Sequence, residues 1–139
     1  MIRLIILAFS LTLSTCAFCA SPNENPIDVW YAKAIDQTGG GTVNMLNVNA
    51  EAYRRWDKEL NATYKRLISK LPPDGQRQLV ASQRKWLQWR DEESKLQTNI
   101  LAGDTGTLAL IVQSDRELQI IRQRALDLLG YESLLEHPP

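Results

Sequence analysis

The sequence predicts an all-α protein: an elongated antiparallel bundle of three long helices plus one short N-terminal helix. Three observations carry this. Apolar residues recur every three or four positions through most of the chain. No segment alternates apolar and polar with the period of two that a half-buried strand needs. The periodic runs are separated by Gly39-Gly40-Gly41, by Pro72-Pro73-Asp74-Gly75 and by Gly103-Asp104-Thr105-Gly106, all of them helix-breaking.

At 139 residues with 44% hydrophobic content, the chain holds one domain at most. The formal net charge is zero, so nothing points to nucleic acid, which requires a basic surface. The single histidine, His137, lies near the C-terminal end and is a poor start for a zinc site.

Residues 1–20 read as a secretory signal. Arg3 supplies the positive start and Leu4 to Leu13 an apolar run of suitable length. A membrane span would need about 20 apolar residues, and Ser10, Thr12, Ser14 and Thr15 dilute the run. Cleavage is expected between Ala17 and Ser21. The product is expected to be periplasmic or secreted. A lipid anchor on Cys16 is the alternative, although Leu13-Ser14-Thr15-Cys16 is a poor lipobox. Cleavage after Ala20 removes both cysteines and leaves a formal charge of −1, since Arg3 is lost. Residues 21–26 form a polar, proline-bearing linker ahead of a helical domain at 27–135.

Within that domain, Ile27 to Gln37 reads as the short helix, with Pro26 near its start. The triple glycine ends it as a turn. No GKS or GKT follows, so it is not a phosphate loop. The first long helix starts at Val43 or Asn44 and runs to Leu71. Its apolar line is Tyr53, Trp56, Leu60, Tyr64, Leu67 and Leu71. Proline cannot continue a helix, so the next begins after the PPDG turn and runs to Leu101, with Leu79, Trp86, Trp89 and Leu96 along it. Asp104 or Thr105 is expected to cap the last helix, Thr107 to Leu129, with Gly130 as its C-cap. Its apolar line is Leu108, Ile111, Leu118, Ile121, Ala125 and Leu128. Arg116, Glu117, Arg122 and Arg124 fall largely on the other side.

Asp57, Glu59, Asn61, Gln83, Arg90, Asp91, Glu92 and Glu93 are the residues that could carry chemistry. A catalytic carboxylate pair, Asp57 with Asp91, would need a substrate cleft, which a slim bundle hardly offers. A carboxylate metal site in a bundle usually carries Glu-x-x-His, and the helices contain no histidine. The expectation is a non-enzyme with no cofactor and no metal. In a hairpin around the PPDG turn, positions whose numbers sum to about 147 face each other. Asp57 is therefore expected to bond Arg90, with Asn61, Tyr64 and Gln83 forming polar contacts beside it. This is a structural network that fixes register. The Asn61-Ala62-Thr63 sequon is read as coincidence.

Trp56-Asp57, Leu60-Asn61 and Tyr64, with Gln83, Trp86 and Arg90-Asp91, also resemble the LprI family. Its members are small secreted or lipid-anchored bacterial proteins named for a mycobacterial lysozyme inhibitor. The resemblance covers roughly residues 35–130. It implies a helical domain that binds a protein partner, a lysozyme or another envelope protein. Family members generally carry cysteines that staple the helices. Here those places hold Val48, Ser94, Arg116 and a residue near Thr38, so the fold is expected to rest on packing alone.

Two classes of function follow. The first is a cell-envelope binding protein, by resemblance a lysozyme inhibitor. The second is a structural, scaffold or immunity-type interaction domain that does not inhibit lysozyme. A carboxylate-based hydrolase is a third. Lysozymes are commonly basic, so Asp91, Glu92 and Glu93 are the expected partner-facing acids. Trp30 and Trp89 are the expected docking aromatics, with Tyr31 beside them.

Overall fold

The computed structural model describes residues 24–103 and 106–138. The signal, the lipobox, most of the linker and the Asp104/Thr105 cap lie outside the described residues. Within them are four helices and no strand: α1 (Pro26–Asp36), α2 (Thr42–Lys70), α3 (Pro73–Leu101) and α4 (Thr107–Glu136). No described helix is long and apolar enough to cross a membrane. The expected all-α bundle is present, with boundaries within a few residues of the sequence reading except at the C-terminal end.

Local chemistry sets the breaks. Asn25 caps α1, its side chain accepting from the Ile27 amide at 2.9 Å, and Pro26 fits the first turn. Gly39 and Gly40 have φ of +58° and +78°, a region that side chains disfavour. They reverse the chain between α1 and α2. Between α2 and α3 only Leu71 and Pro72 are non-helical, so Asp74 and Gly75 belong to the first turn of α3. Gln76 then reaches back, its amide donating to the Leu71 carbonyl at 2.9 Å. That satisfies a carbonyl freed where α2 stops.

The core forms chiefly between α2 and α4. Ala52, Trp56, Leu60 and Leu67 of α2 meet Leu118, Ile121, Ala125 and Leu128 of α4. These two helices run parallel: Asn49 bonds Ser114, Arg66 bonds Glu132 and Lys70 bonds Glu136, so the partners advance together. Helix α3 runs back antiparallel to both, and Leu79 is the only α3 residue in the fully buried core. Helix α1 covers the other flank with Ile27, Trp30 and Tyr31.

Polar contacts tie the elements in register. Arg122 of α4 donates twice to Asp28 of α1, at 2.8 and 2.7 Å, and its guanidinium lies 5.7 Å from the Trp56 ring centre. One cation thus links three helices. A second chain runs from Tyr31 Oη to Asn49 Oδ1, then from Asn49 Nδ2 to Ser114 Oγ, at 2.9 and 2.8 Å. Burial, with the nearby Asp115 charge, pushes the Tyr31 hydroxyl pKa up.

The last helix differs most from expectation. Gly130 is not a C-cap; α4 continues through it to Glu136. A glycine inside a helix costs about 1 kcal/mol relative to alanine. Glu132 offsets that cost. It is buried and accepts from Arg66 at 2.9 Å and from Lys70 at 2.9 Å. Hydrogen bonds from Arg66 and then from Lys70 hold its carboxyl down to about 2.

Two outcomes follow from these ties. A depressed folded-state pKa contributes stability that is fully present above the unfolded value near 4.5 and is lost as pH falls through about 2. Glu132→Gln should therefore lower unfolding stability at pH 7 by roughly 1–2 kcal/mol, allowing for half-exposed cations. The gap to the parent should close as denaturation is repeated from pH 5 down to pH 2. Arg122→Gln should speed amide exchange across α1 while leaving α2 protected, measured by hydrogen exchange.

Candidate functional site

Each expected site residue has a definite place, but they do not assemble as one network. Because α2 turns its stripe of Asn49, Ala52, Trp56, Leu60, Thr63 and Leu67 toward α4, Asp57, Asn61 and Tyr64 lie along its flank. Asn61 is exposed and donates to the backbone carbonyl of Asp57, one turn back on its own helix, at 2.8 Å. Tyr64 is half-buried against the core. Arg90 donates to the adjacent Asp91 at 3.0 Å. No bond links it to Asp57 among the described residues. Gln83 accepts not from α2 but from Arg124 of α4, at 3.0 Å. The expected Asp57–Arg90 bond and the Asn61–Tyr64–Gln83 contacts are thus replaced. The hairpin register itself is close: Tyr53 shares a shallow cleft with Arg90, Asp91 and Ser94.

The expected partner-facing residues divide. Asp91 is engaged by Arg90 and Glu92 by Lys95, at 3.0 and 2.8 Å. Glu93 accepts from the Gln97 amide at 3.2 Å. The acidic run is thus partly neutralised by its own neighbours. Trp30 is half-buried, with the Arg55 guanidinium 3.8 Å from its ring centre, and Tyr31 is held by Asn49. Neither is a free docking aromatic. Trp89 is: it is 51% exposed.

Trp89 stands at the edge of a groove of about 440 Å³ between α3 and α4. Trp86 and Glu93 line its α3 side, and Arg116, Arg124 and Asp127 its α4 side. Arg124 is the residue that the sequence reading misplaced. Its charge predicts the outer side of α4, but it is only 7% exposed. It spans to α3, donating to Gln83 Oε1 and to Ser82 Oγ at 3.0 and 3.1 Å. Its guanidinium lies 5.9 Å from the Trp86 ring centre, with Arg90 at 5.3 Å from the same ring. One signal existed in the sequence. Arg124 falls three residues after Ile121 and four before Leu128, on the apolar line.

The groove offers an aromatic wall and charged groups of both signs. Such a surface suits recognition of another molecule. The comparisons agree in class. The chain matches the model of the family described as lysozyme inhibitor LprI over residues 34–128. It belongs to the LprI family, the family of inhibitor domains that the helical motif resembles. Among solved structures, an uncharacterized protein from Burkholderia thailandensis is similar, with 32% identity and a TM-score of 0.74. The match covers 83% of this chain and 57% of that one, so this chain spans a little over half the length of that relative. No curated protein matches the chain.

The two arginines near Trp86 should behave differently when truncated. Arg90 is partly exposed and pairs with a mostly exposed acid, so Arg90→Ala should cost under about 1 kcal/mol. Arg124→Ala removes a buried tie between α3 and α4 and should cost roughly 2–3 kcal/mol. Urea denaturation of both variants measures the difference.

Proposed function

We propose that the protein is an exported binding domain that inhibits a lysozyme, with α3 and its groove toward α4 as the contact face. Membership of the LprI family supports the inhibitor class. The observation that carries the site is Trp89, exposed beside half-buried Trp86 at the edge of the groove. Tryptophans in this position anchor many interfaces, since they bury a large area with few rotatable bonds. Asp91, Glu92 and Glu93 sit close by on α3. Held by Arg90, Lys95 and Gln97, they act through local contacts more than through long-range steering. Export is supported by Arg3 and the apolar run that follows it. The working unit is the domain at 27–135, released after signal cleavage, with a lipid anchor on Cys16 the other form. Asp57, Asn61, Tyr64, Gln83 and Arg90 serve structure in this reading, each through the local contacts given above.

A second reading, a scaffold or immunity-type domain, draws on one specific feature. Val43, Leu96, Ile100 and Leu108 are all exposed. They lie at the end of the bundle where α2 begins, α3 ends and α4 begins. Such a patch favours docking without lysozyme inhibition.

A lysozyme assay titrated with the purified mature protein separates the two. Stoichiometric inhibition is expected, and Trp89→Ala should weaken it by about tenfold or more while the helical circular dichroism is unchanged. No inhibition at micromolar excess against several lysozyme types would sink the inhibitor reading.

A further inference from the structure

We propose that the α3–α4 groove is a carboxylate-binding subsite, in which Arg124 receives an acidic side chain of a protein partner under the edge of Trp89. The proposal rests on the protein-binding reading for the source of the carboxylate.

Glu93, Arg116, Arg124 and Asp127 all line the groove. None of them takes part in an ion pair among the described residues. The acids are held by amides instead: Glu93 by Gln97, and Asp127 by Gln123 at 2.9 Å. Arg124 is the most buried of the four charged groups, and both of its protein acceptors, Gln83 Oε1 and Ser82 Oγ, are neutral. A buried cation normally meets a carboxylate, because desolvation of an unpaired charge is costly.

The unused donors point the same way. A guanidinium has five N–H donors. Gln83 and Ser82 take Nε and one Nη2 donor. Gln97 Oε1 is the one described buried side-chain atom that is both sealed from solvent and unbonded. Arg124 Nη1, which also lacks a protein acceptor, therefore keeps an opening to solvent where the residue lines the groove. Two adjacent donors on a planar fork suit one carboxylate.

The occupant follows from shape. No residue of α1 or α2 lines the groove, so a chain can cross it and need not end in it. A glutamate or aspartate side chain within a partner segment fits this better than a chain terminus. Trp89 would cover the methylene groups of that side chain.

The test is a ¹⁵N–¹H NMR titration of the full protein with N-acetyl-glutamate amide, with N-acetyl-glutamine amide as the neutral control. Saturable shifts are expected at the Arg124 Nε and the Trp86 and Trp89 indole signals, with Kd on the order of 1 mM. Arg124→Gln should weaken binding by about tenfold or more, while Arg84→Gln, which removes an exposed arginine outside the groove, should retain it. If Arg124→Gln does not fold, Trp89→Ala decides. It must weaken the glutamate probe about threefold, in proportion to the lost contact. Equal shifts with the glutamine probe, shifts spread over exposed arginines such as Arg84, or an unaffected Trp89→Ala would overturn the proposal. Tighter binding of N-acetyl-alanine, whose carboxylate is terminal, would also overturn it. No lysozyme is present in this titration. Lost inhibition with intact glutamate binding would therefore count against the inhibitor reading alone, and intact inhibition with no glutamate binding against the subsite alone.

Discussion

Two parallel helices share one apolar seam, and every other element is placed by it. Trp56, Leu67, Leu118, Ile121 and Leu128 are almost wholly removed from water along that seam. Helices α2 and α4 are not sequence neighbours, so their parallel pairing needs α3 as the return segment. Burial of this stripe supplies most of the driving force. Charged groups then fix how far one helix slides along the other. Glu132 with Arg66 and Lys70 holds one end, and Asn49 with Ser114 holds the other. With the sequence's only cysteines at positions 16 and 19, ahead of α1, no disulfide staples the four helices. These polar ties do the work of register.

The same seam leaves α3 on the outside. That helix has little to bury, and it meets α4 through long side chains, Arg124 above all. Long polar bridges hold helices apart where apolar side chains would draw them together, and the space between them becomes a groove. The groove is a consequence of how α3 is attached. Trp89 is exposed, and Trp86 only half-buried, because both belong to a helix that the core only half accepts.

Charge is handled in two ways in this molecule. Near α1 and at the C-terminal end of α4, arginine and lysine meet carboxylates directly, and those contacts lock elements. Along the α3–α4 groove, carboxylates meet glutamine amides, and arginine meets neutral oxygens. The first arrangement is spent internally. The second keeps formal charges of both signs at the surface, without a direct ion pair among the described residues.

The sequence alone determined the helices and their breaks. Periodicity at Tyr53, Trp56, Leu60 and Leu67 is a local signal, and so are Pro72-Pro73 and the glycine run. The family motif around Trp56-Asp57 and Trp86 was equally legible, since it is a matter of residue types at fixed spacing. Only the tertiary structure decided which helices share the core. Hairpin geometry around Pro72 and Pro73 made α2 and α3 look like the principal pair, and on that basis Asp57 was matched with Arg90. The apolar stripe of α2 points instead to α4, and a rotation of one residue, about 100° on a helix, moves a side chain from seam to flank. That difference placed Asn61 in solvent and sent Gln83 to Arg124. It also carried α4 past Gly130, because Glu132 found its cations across the seam on a helix more than 60 residues earlier in the chain.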